Sequence, residues 1–419
     1  MGIRDLFIAF LGWGCVPLAL YNSYYGFLGY VWFSVMKPQT LVWSQSVLNA
    51  DISLTIMIAL LVKLIISSDW KLRFSLPFLW LFLLLVWFFL CTLSSNDFSK
   101  SFSDFMFFGK VVFGPFLVAI FIERLSRFKT FVALLAACTG FYGIKIGVFF
   151  FRSGTTSGGG PIGLDNNDVA LFLAMGIPLL IYVGFELKEK WLKRGYLLAT
   201  ALSCAAVIAT SSRGGMLAMG VGLGLTFWLR FKTAKTLLLV PVVAILLFSI
   251  TPGKVLDRYQ TIDNYSEDYS AMGRINSWKT AINIANQNLF GSGFGLDAYL
   301  ALYPNYQTTD KETPRAAHSA WFQVLGESGY PGLLLFVAMI VSTVKLGLRL
   351  RKDRVRGEEY AVIGRHAEML LTVIVVYLVG ASFLSQAKFE FFYYILAAMG
   401  SLGLIAKDMD NKKSGRGFG

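Results

Sequence analysis

A succession of long apolar runs restricts what this 419-residue chain can fold into. Thirteen such runs follow one another, separated for the most part by short polar or basic connections. A helix needs roughly 17–25 apolar residues to cross a bilayer, whereas the strands of a membrane barrel show short alternating segments. Hydrophobic residues make up 56% of the chain, more than is usual in soluble domains. We therefore predict an all-α polytopic membrane protein with about 12 transmembrane helices.

The apolar runs form two blocks around one polar segment, residues 251–332. They cover residues 6–20, 26–36, 52–66, 77–93, 105–122, 131–151, 169–185, 196–209, 216–229, 237–250, 333–348, 369–383 and 389–405. The first two runs are short, so they form either two crossings or one crossing with a broken or re-entrant piece. We accordingly divide the chain into nine or ten spans (1–250), a large loop (251–332) and three last spans with a tail (333–419).

Basic clusters indicate the orientation of these spans. They occur on alternate connections, and cytoplasmic connections carry such an excess of Lys and Arg: residues 63–73, 124–129, 188–194, 230–235, 349–356 and the tail at 412–416. This bias accounts for the net charge of +13, so no nucleic-acid partner is predicted. Twelve spans would put both chain termini in the cytoplasm and the loop 251–332 outside it.

Neither a disulfide framework nor a metal site is indicated. The four cysteines lie inside apolar runs without paired spacing: Cys15, Cys91, Cys138 and Cys204. The acidic pairs at 267–268 and 408–410 are weak signals for a divalent cation. We predict no metal and no cofactor.

Two helices are predicted inside the polar loop. The first carries Arg274 and an apolar stripe at helical spacing: Ile275, Trp278, Ile282 and Ala285. Such a helix would lie along the membrane surface, either at a site or only as a lid or packing element. The second runs over residues 319–327 directly after His318 and ends at Gly329.

Basic residues on the opposite side from the basic clusters are the most informative charges. Charged residues within spans are costly and usually face a polar interior. We predict that these cations converge on the phosphates of a lipid-linked substrate, whose charge suits the planar guanidinium fork: Lys110, Lys145, Arg152, Arg213, Arg258, Arg274 and Arg315. For Lys110 and Lys145, snorkelling to the interface is the alternative interpretation.

His318 is one of two histidines in the chain and is the candidate catalytic residue. It ends the polar loop and begins a membrane-proximal helix, where it could take a proton from an attacking hydroxyl. The alternative is a structural histidine. The other, His366, lies in a basic connection, and no function is assigned to it.

Four segments in this order resemble the O-antigen ligase and polymerase superfamily of bacterial membrane glycosyltransferases. They are GLDNNDVALFLAMGIPLL (163–180), ATSSRGGMLA (209–218), GRINSWKTA (273–281) and HSAWFQVLGESGYPGLLLF (318–336). The N-terminal segments RDLFIAFLGWG and YVWFSVMKPQTLVW also resemble the branch described as exosortase-associated O-glycosylation ligases. Ser319 stands where many members have Asn, which also fits that branch.

The resemblance implies a GT-C-like enzyme of the bacterial inner membrane with a periplasmic active site. Such an enzyme transfers a glycan from undecaprenyl diphosphate with inversion and without metal. Arg213 and Arg274 would bind the diphosphate, and His318 would be the base or would orient the acceptor. The acceptor is expected to be the lipid A–core of lipopolysaccharide, with a protein hydroxyl or another glycan chain as alternatives.

Two other functions are compatible with a polytopic fold. A transporter of lipid-linked glycans should show an inverted repeat and broken helices at mid-membrane. The sequence shows no convincing repeat, and its unexplained cations lie on one side. A scaffold in envelope assembly would leave the outward arginines unexplained.

Overall fold

The computed structural model describes residues 2–67, 73–153, 164–231, 269–308 and 313–413. In these ranges every regular element is an α-helix or a short 3-10 turn. The α-helices are α1 (Ile3–Tyr21), α2 (Ser23–Val35), α3 (Gln45–Leu48), α4 (Ile52–Ser67), α5 (Leu76–Leu93), α6 (Phe98–Phe121), α7 (Leu125–Ser153), α8 (Asn166–Glu186), α9 (Lys190–Ala209), α10 (Arg213–Phe231), α11 (Tyr269–Gln287), α12 (Leu296–Tyr306), α13 (Ala320–Asp353), α14 (Glu358–Ala381) and α15 (Glu390–Lys413).

Ten helical segments in the described ranges are long and apolar enough to cross a membrane. They are α1, α3–α4 as one segment, α5 to α9, and α13 to α15. Large apolar side chains on their outer faces are exposed, for example Ile65 at 75% and Leu334 at 68%, which suits contact with lipid. The predicted all-α polytopic membrane protein is confirmed, while the predicted span at residues 237–250 lies outside the described residues.

The centre of the bundle is formed by α8, α14 and α15, the most enclosed of these helices. Tyr377 of α14 stacks on Phe392 of α15 with ring centroids 3.6 Å apart. Phe391 of α15 meets Phe172 of α8 edge-on at 5.2 Å. This aromatic packing fixes the connection between α14 and α15. We call residues 382–388 of this connection the central segment, because it holds the site described below.

Helices α1 and α2 form an antiparallel hairpin around the single connecting residue Asn22. The two helices approach closely because Gly26 faces Ala19 and Gly29 faces Cys15. The two helices therefore run in opposite directions. Because α2 has only 13 residues and is not among the ten crossing segments, both interpretations of this region stay open.

The bundle has two chemically different ends. At the basic end, Arg73 pairs with Asp408 near the end of α15. At the polar end lie His318 and residues 382–388, and there Arg4 packs over Trp43 at 3.9 Å and interacts electrostatically with Lys145. The start of α1 and the end of α15 thus lie at opposite ends. This placement differs from the expectation that both termini share one side, because α1 and α2 run in opposite directions.

A glycine-rich loop docks on a kink in α13 at the polar end. Gly291 and Gly329 both have left-handed backbone, with φ of 65° and 67°. The Ser292 N–H donates to the Gly326 carbonyl at 2.8 Å, so two backbones meet without side chains between them. The prediction that the helix after His318 ends at Gly329 is confirmed: the backbone leaves helical geometry there, and a second helical part continues α13 to Asp353.

Helix α11 is confirmed as the predicted helix of the polar loop. Its protein-facing side is the small stripe around Ala281 and Ile284, packed against Tyr299 and Tyr303 of α12. Ile275 on another side stays 39% exposed. The helix therefore packs against the protein and still presents apolar surface outward. This arrangement is compatible with a helix at the site and with a helix that serves only as a lid or packing element.

Candidate active site

His318 lies directly before α13 in an unusual backbone conformation. Its φ of 48° is in the left-handed region, which costs a non-glycine residue roughly 1–2 kcal/mol. Its N–H donates to the Ser385 hydroxyl oxygen at 2.8 Å, and this bond helps to hold the conformation. The residue is accessible at the polar end, while neighbouring groups partly cover its ring. Strain held in this way is a feature of functional positions.

Charges from three parts of the chain act on the His318 imidazole. Partial burial and then the cation of Arg274 lower its pKa below the usual value, Asp165 opposes this shift, and Arg315 adds to it. A lowered pKa keeps the ring neutral at pH 7, where a free nitrogen can accept a proton. The arrangement therefore suits a general base.

Arg315 and Arg274 are brought together by Gly273. A Cβ at Gly273 would overlap the Arg315 guanidinium, so the absence of a side chain there lets Arg315 lie against α11. The Arg315 Nε is buried and has no hydrogen-bond partner among the described residues. Since buried donors are nearly always paired, this N–H is available to an anionic ligand.

Residues 382–388 position the start of α13 through three hydrogen bonds. The Ser385 hydroxyl accepts from the His318 backbone, and the Ser382 hydroxyl accepts from Trp321 Nε1 at 3.0 Å. The Ala387 N–H donates to the Gln323 side-chain oxygen at 3.1 Å. Any shift of this segment would therefore move His318.

A buried ion pair ends the same segment. Lys388 Nζ lies 3.2 Å from a carboxylate oxygen of Glu327, which is 3% exposed, and 4.0 Å from Asp104. Glu327 also accepts from the Gly295 N–H at 3.1 Å. The pair thus connects α13, the glycine-rich loop and the 382–388 segment. Sequence reasoning missed it, although charges beside the last apolar run at residues 388–390 were a signal.

A cavity of about 260 Å³ opens beside these residues. Its polar lining includes Lys37, Gln323, Lys388 and Glu390, and Phe107, Phe172 and Phe389 contribute apolar walls. Ser385, which holds His318, also borders it. A space with charges of both signs and aromatic walls suits a ligand that is part polar and part apolar.

The start of α8 contributes the acidic side of the site. Asp165 caps the helix, accepting from the N–H groups of Asn167 and Asp168 at 2.8 and 2.9 Å. Asp168 in turn interacts with the side chain of Gln386. The first turn of α8 therefore packs against the segment that holds His318. Neither aspartate was predicted as a site residue from the sequence.

Arg213 is the first residue of α10 and is exposed. The next residue, Gly214, faces the same central segment: a Cβ there would lie 3.5 Å from the Cβ of Phe383. Arg213 therefore begins α10 beside the segment that holds His318. This position is compatible with the predicted contact between Arg213 and a ligand.

The remaining predicted cations lie elsewhere or cannot be placed. Lys145 is exposed beside Tyr142, 5.6 Å from its ring centroid. Lys110 on α6 and Arg152 at the end of α7 are exposed as well. Among the described residues, no contact joins these three to His318. Arg258 lies outside the described residues.

The fold and the site define a polytopic membrane protein with a cationic, histidine-containing site at one end. Residues 198–337 match the family model described as O-Antigen ligase, and residues 3–172 match a family of unknown function (DUF5935). No curated protein matches the chain. The resemblance to the O-antigen ligase and polymerase superfamily predicted from the sequence motifs is confirmed for residues 198–337. The match supports a membrane enzyme at a coarse level.

Proposed function

We propose that this chain is an O-antigen ligase, which transfers a glycan from undecaprenyl diphosphate to the lipid A–core of lipopolysaccharide. The observation that carries the proposal is the meeting of His318 with Arg274 and Arg315, two cations from α11 and the chain before α13. A neutral imidazole beside two guanidinium groups suits an acceptor hydroxyl on one side and a diphosphate on the other.

In the proposed reaction, the acceptor hydroxyl oxygen attacks the anomeric carbon of the donor sugar. The bond from that carbon to the diphosphate oxygen breaks, and its electron pair leaves with undecaprenyl diphosphate. His318 takes the hydroxyl proton, while Arg274 and Arg315 balance the charge that develops on the leaving group. One displacement inverts the anomeric configuration, and the proposal needs neither a metal nor a cofactor.

Arg213 is proposed as a further diphosphate contact because α10 begins beside the segment that carries Ser385. Lys110, Lys145, Arg152 and Arg258 stay predicted contributors to the positive field that the donor would meet. The proposed location is the bacterial inner membrane with the polar end in the periplasm.

The acceptor is the least constrained part of the proposal. A protein hydroxyl or the end of another glycan would meet the same imidazole, and the same donor chemistry would apply. The proposed function therefore has a ligase form, a protein O-glycosylation form and a polymerase form.

A transfer assay tests the proposal and separates these forms. Purified protein in nanodiscs receives an undecaprenyl-diphosphate-linked glycan together with lipid A–core, an acceptor protein or a second lipid-linked glycan. We expect product with lipid A–core, and His318→Ala should lower the rate by roughly 10²–10⁴-fold. Arg124→Gln, an exposed arginine at the basic end, is the matched control for Arg274→Gln and Arg315→Gln. A transporter would give no product with any acceptor.

A further inference from the structure

A second cationic cavity lies at the basic end, far along the bundle from His318. It measures about 340 Å³ and is bordered by three cations, one carboxylate and an aromatic ring: Lys129, Arg230, Arg365, Glu186 and Phe185. We call this cavity the basic groove. It lies where α7, α8, α10 and α14 meet, and the proposed glycan transfer makes no use of it.

The single carboxylate of the basic groove is already paired. Glu186 lies 3.4 Å from His366 Nε2 and 4.0 Å from Arg365 Nε. In the described part of the chain, Lys129 and Arg230 have no ion pair within 4 Å. The groove therefore keeps an excess of positive charge that a bound anion can neutralise.

Aromatic packing holds the positive charges around the groove. The Arg230 guanidinium lies 5.4 Å from the centroid of the Phe185 ring, and Lys193 Nζ lies 4.7 Å from it. Such contacts restrict long side chains that would otherwise move freely in water. The cations are thus gathered at one place rather than spread over a solvated surface.

An unpaired hydroxyl lies in a small void that shares Glu186 with the groove. Tyr182 is only 5% exposed, and its hydroxyl has no hydrogen-bond partner in the ranges that the structure describes. It borders a small void of about 10 Å³ together with Glu186 and His366, and it interacts electrostatically with Arg230. A buried hydroxyl without a partner is uncommon. Here it is a spare donor for the same anion that the groove cations attract.

Two exposed tryptophans place the basic groove at headgroup depth. Trp191 in the first turn of α9 is 72% exposed, and Trp228 near Arg230 on α10 is 45% exposed. Tryptophan is enriched at the boundary between hydrocarbon and headgroups, and basic pockets between helices at this depth suit anionic lipid headgroups. An anion in the groove is therefore more accessible from the lipid leaflet than from bulk water.

We propose that the basic groove binds the phosphate of an anionic phospholipid headgroup. Arg230 and Lys129 contact the phosphate oxygens, Arg365 adds charge while it keeps Glu186 in place, and Tyr182 donates from the small void. The acyl chains lie along the exposed apolar faces of the neighbouring helices.

Native mass spectrometry of the full chain released from nanodiscs tests this binding. The nanodiscs contain phosphatidylcholine alone, or phosphatidylcholine with either phosphatidylglycerol or cardiolipin. The mass of the released protein gives the number of lipids that stay bound to it. We expect retained anionic lipid on the wild type, and K129Q/R230Q/R365Q should lower its affinity roughly tenfold or more. The control K188Q/K190Q/R194Q removes the same charge at the same end outside the groove and should retain the lipid. Equal loss in both triple variants, or no loss in either, would overturn the proposal.

Two further arms cover folding and the source of the phosphate. Tyr182→Phe keeps the buried ring and removes only the unpaired hydroxyl, so the protein should fold and lose several-fold in lipid affinity. Unchanged affinity in Tyr182→Phe would remove Tyr182 from the site. Inorganic phosphate at millimolar concentration should not displace the lipid; displacement would assign the groove to a free anion and contradict the lipid proposal.

Discussion

At the scale of single residues, His318 derives its chemistry from its neighbours. Its backbone is held in the left-handed region with Ser385 as acceptor, and its ring lies among Arg274, Arg315 and Asp165. Partial burial lowers the pKa of the imidazole most, the two arginines lower it further, and Asp165 raises it. The net direction is downward, so the protonated ring is disfavoured and the neutral base persists to a pH below the usual value of about 6.5.

The pH dependence of His318 should respond to these neighbours in opposite directions. Arg274→Gln removes a cation, so the His318 pKa should rise. Asp165→Asn removes an anion but keeps a good helix cap, so the pKa should fall further. Imidazole NMR titration can follow this directly because the chain has two histidines, and a His366→Gln variant assigns the signals. Shifts of the same sign in both variants would contradict the assigned charges.

The buried pair of Lys388 and Glu327 gives a second prediction at this scale. Lys388→Met leaves the Glu327 carboxylate buried without its cation, which should cost about 3–5 kcal/mol of unfolding free energy. Adding Glu327→Gln to that variant removes the unpaired charge and should restore most of the loss. Unfolding midpoints in one detergent measure both. A double variant as unstable as the single one would show that the pair does not set stability.

At the scale of elements, the contact between the glycine-rich loop and the α13 kink positions the start of α13. Gly291 and the backbone at 326–329 approach so closely that a Cβ on Gly291 would lie 2.5 Å from the Gly326 carbonyl oxygen. The kink at Gly329 lets α13 turn beneath the loop and then continue towards the basic end. His318, eleven positions before the kink, depends on this geometry.

Gly291→Ala should therefore destabilise the polar end. The left-handed φ alone costs about 1–2 kcal/mol for a residue with a Cβ, and the overlap adds to it. Gly109→Ala is the matched control because Gly109 lies inside α6 with nothing within 4 Å of the added Cβ, and it should be neutral or slightly stabilising. Thermal unfolding of both variants measures the difference, and equal midpoints would contradict the contact.

At the scale of the whole molecule, the two ends of the bundle differ in charge and in contacts. The α1–α2 hairpin places the first helix start at the polar end, and the α15 end pairs with Arg73 at the basic end. The polar end carries the candidate active site, and the basic end carries the basic groove. The proposed glycan transfer and the proposed lipid binding therefore concern opposite ends of one bundle.

Thiol labelling from one side of sealed vesicles tests this arrangement. Gly2→Cys and Asn49→Cys should react with a membrane-impermeant reagent from one side, and Lys412→Cys from the other. The four native cysteines are buried, so background labelling should be low. Labelling of Gly2→Cys and Lys412→Cys from the same side would contradict the placement of the α1 start and the α15 end at opposite ends of the bundle.

The sequence predicted the features that depend on local pattern. Apolar runs predicted the spans, helical spacing predicted α11, and charge placement selected His318, Arg274 and Arg315, which the structure brings together. It could not predict the pairing of Lys388 with Glu327, since Lys388 lies in the connection between α14 and α15, Glu327 lies in α13, and the two meet only through tertiary packing. The helix end at Gly329 was predicted from its local stop signal, whereas the docking of the glycine-rich loop on this kink depends on tertiary packing.

The central claim is that His318 and the two arginines act on one donor diphosphate in different ways. Single-turnover glycan transfer in nanodiscs, measured across donor concentrations, gives the maximal rate and the apparent donor affinity together. We predict that His318→Ala lowers the maximal rate with donor affinity nearly unchanged, while Arg315→Gln chiefly weakens donor affinity. Wild-type rates and affinities in both variants would contradict the account.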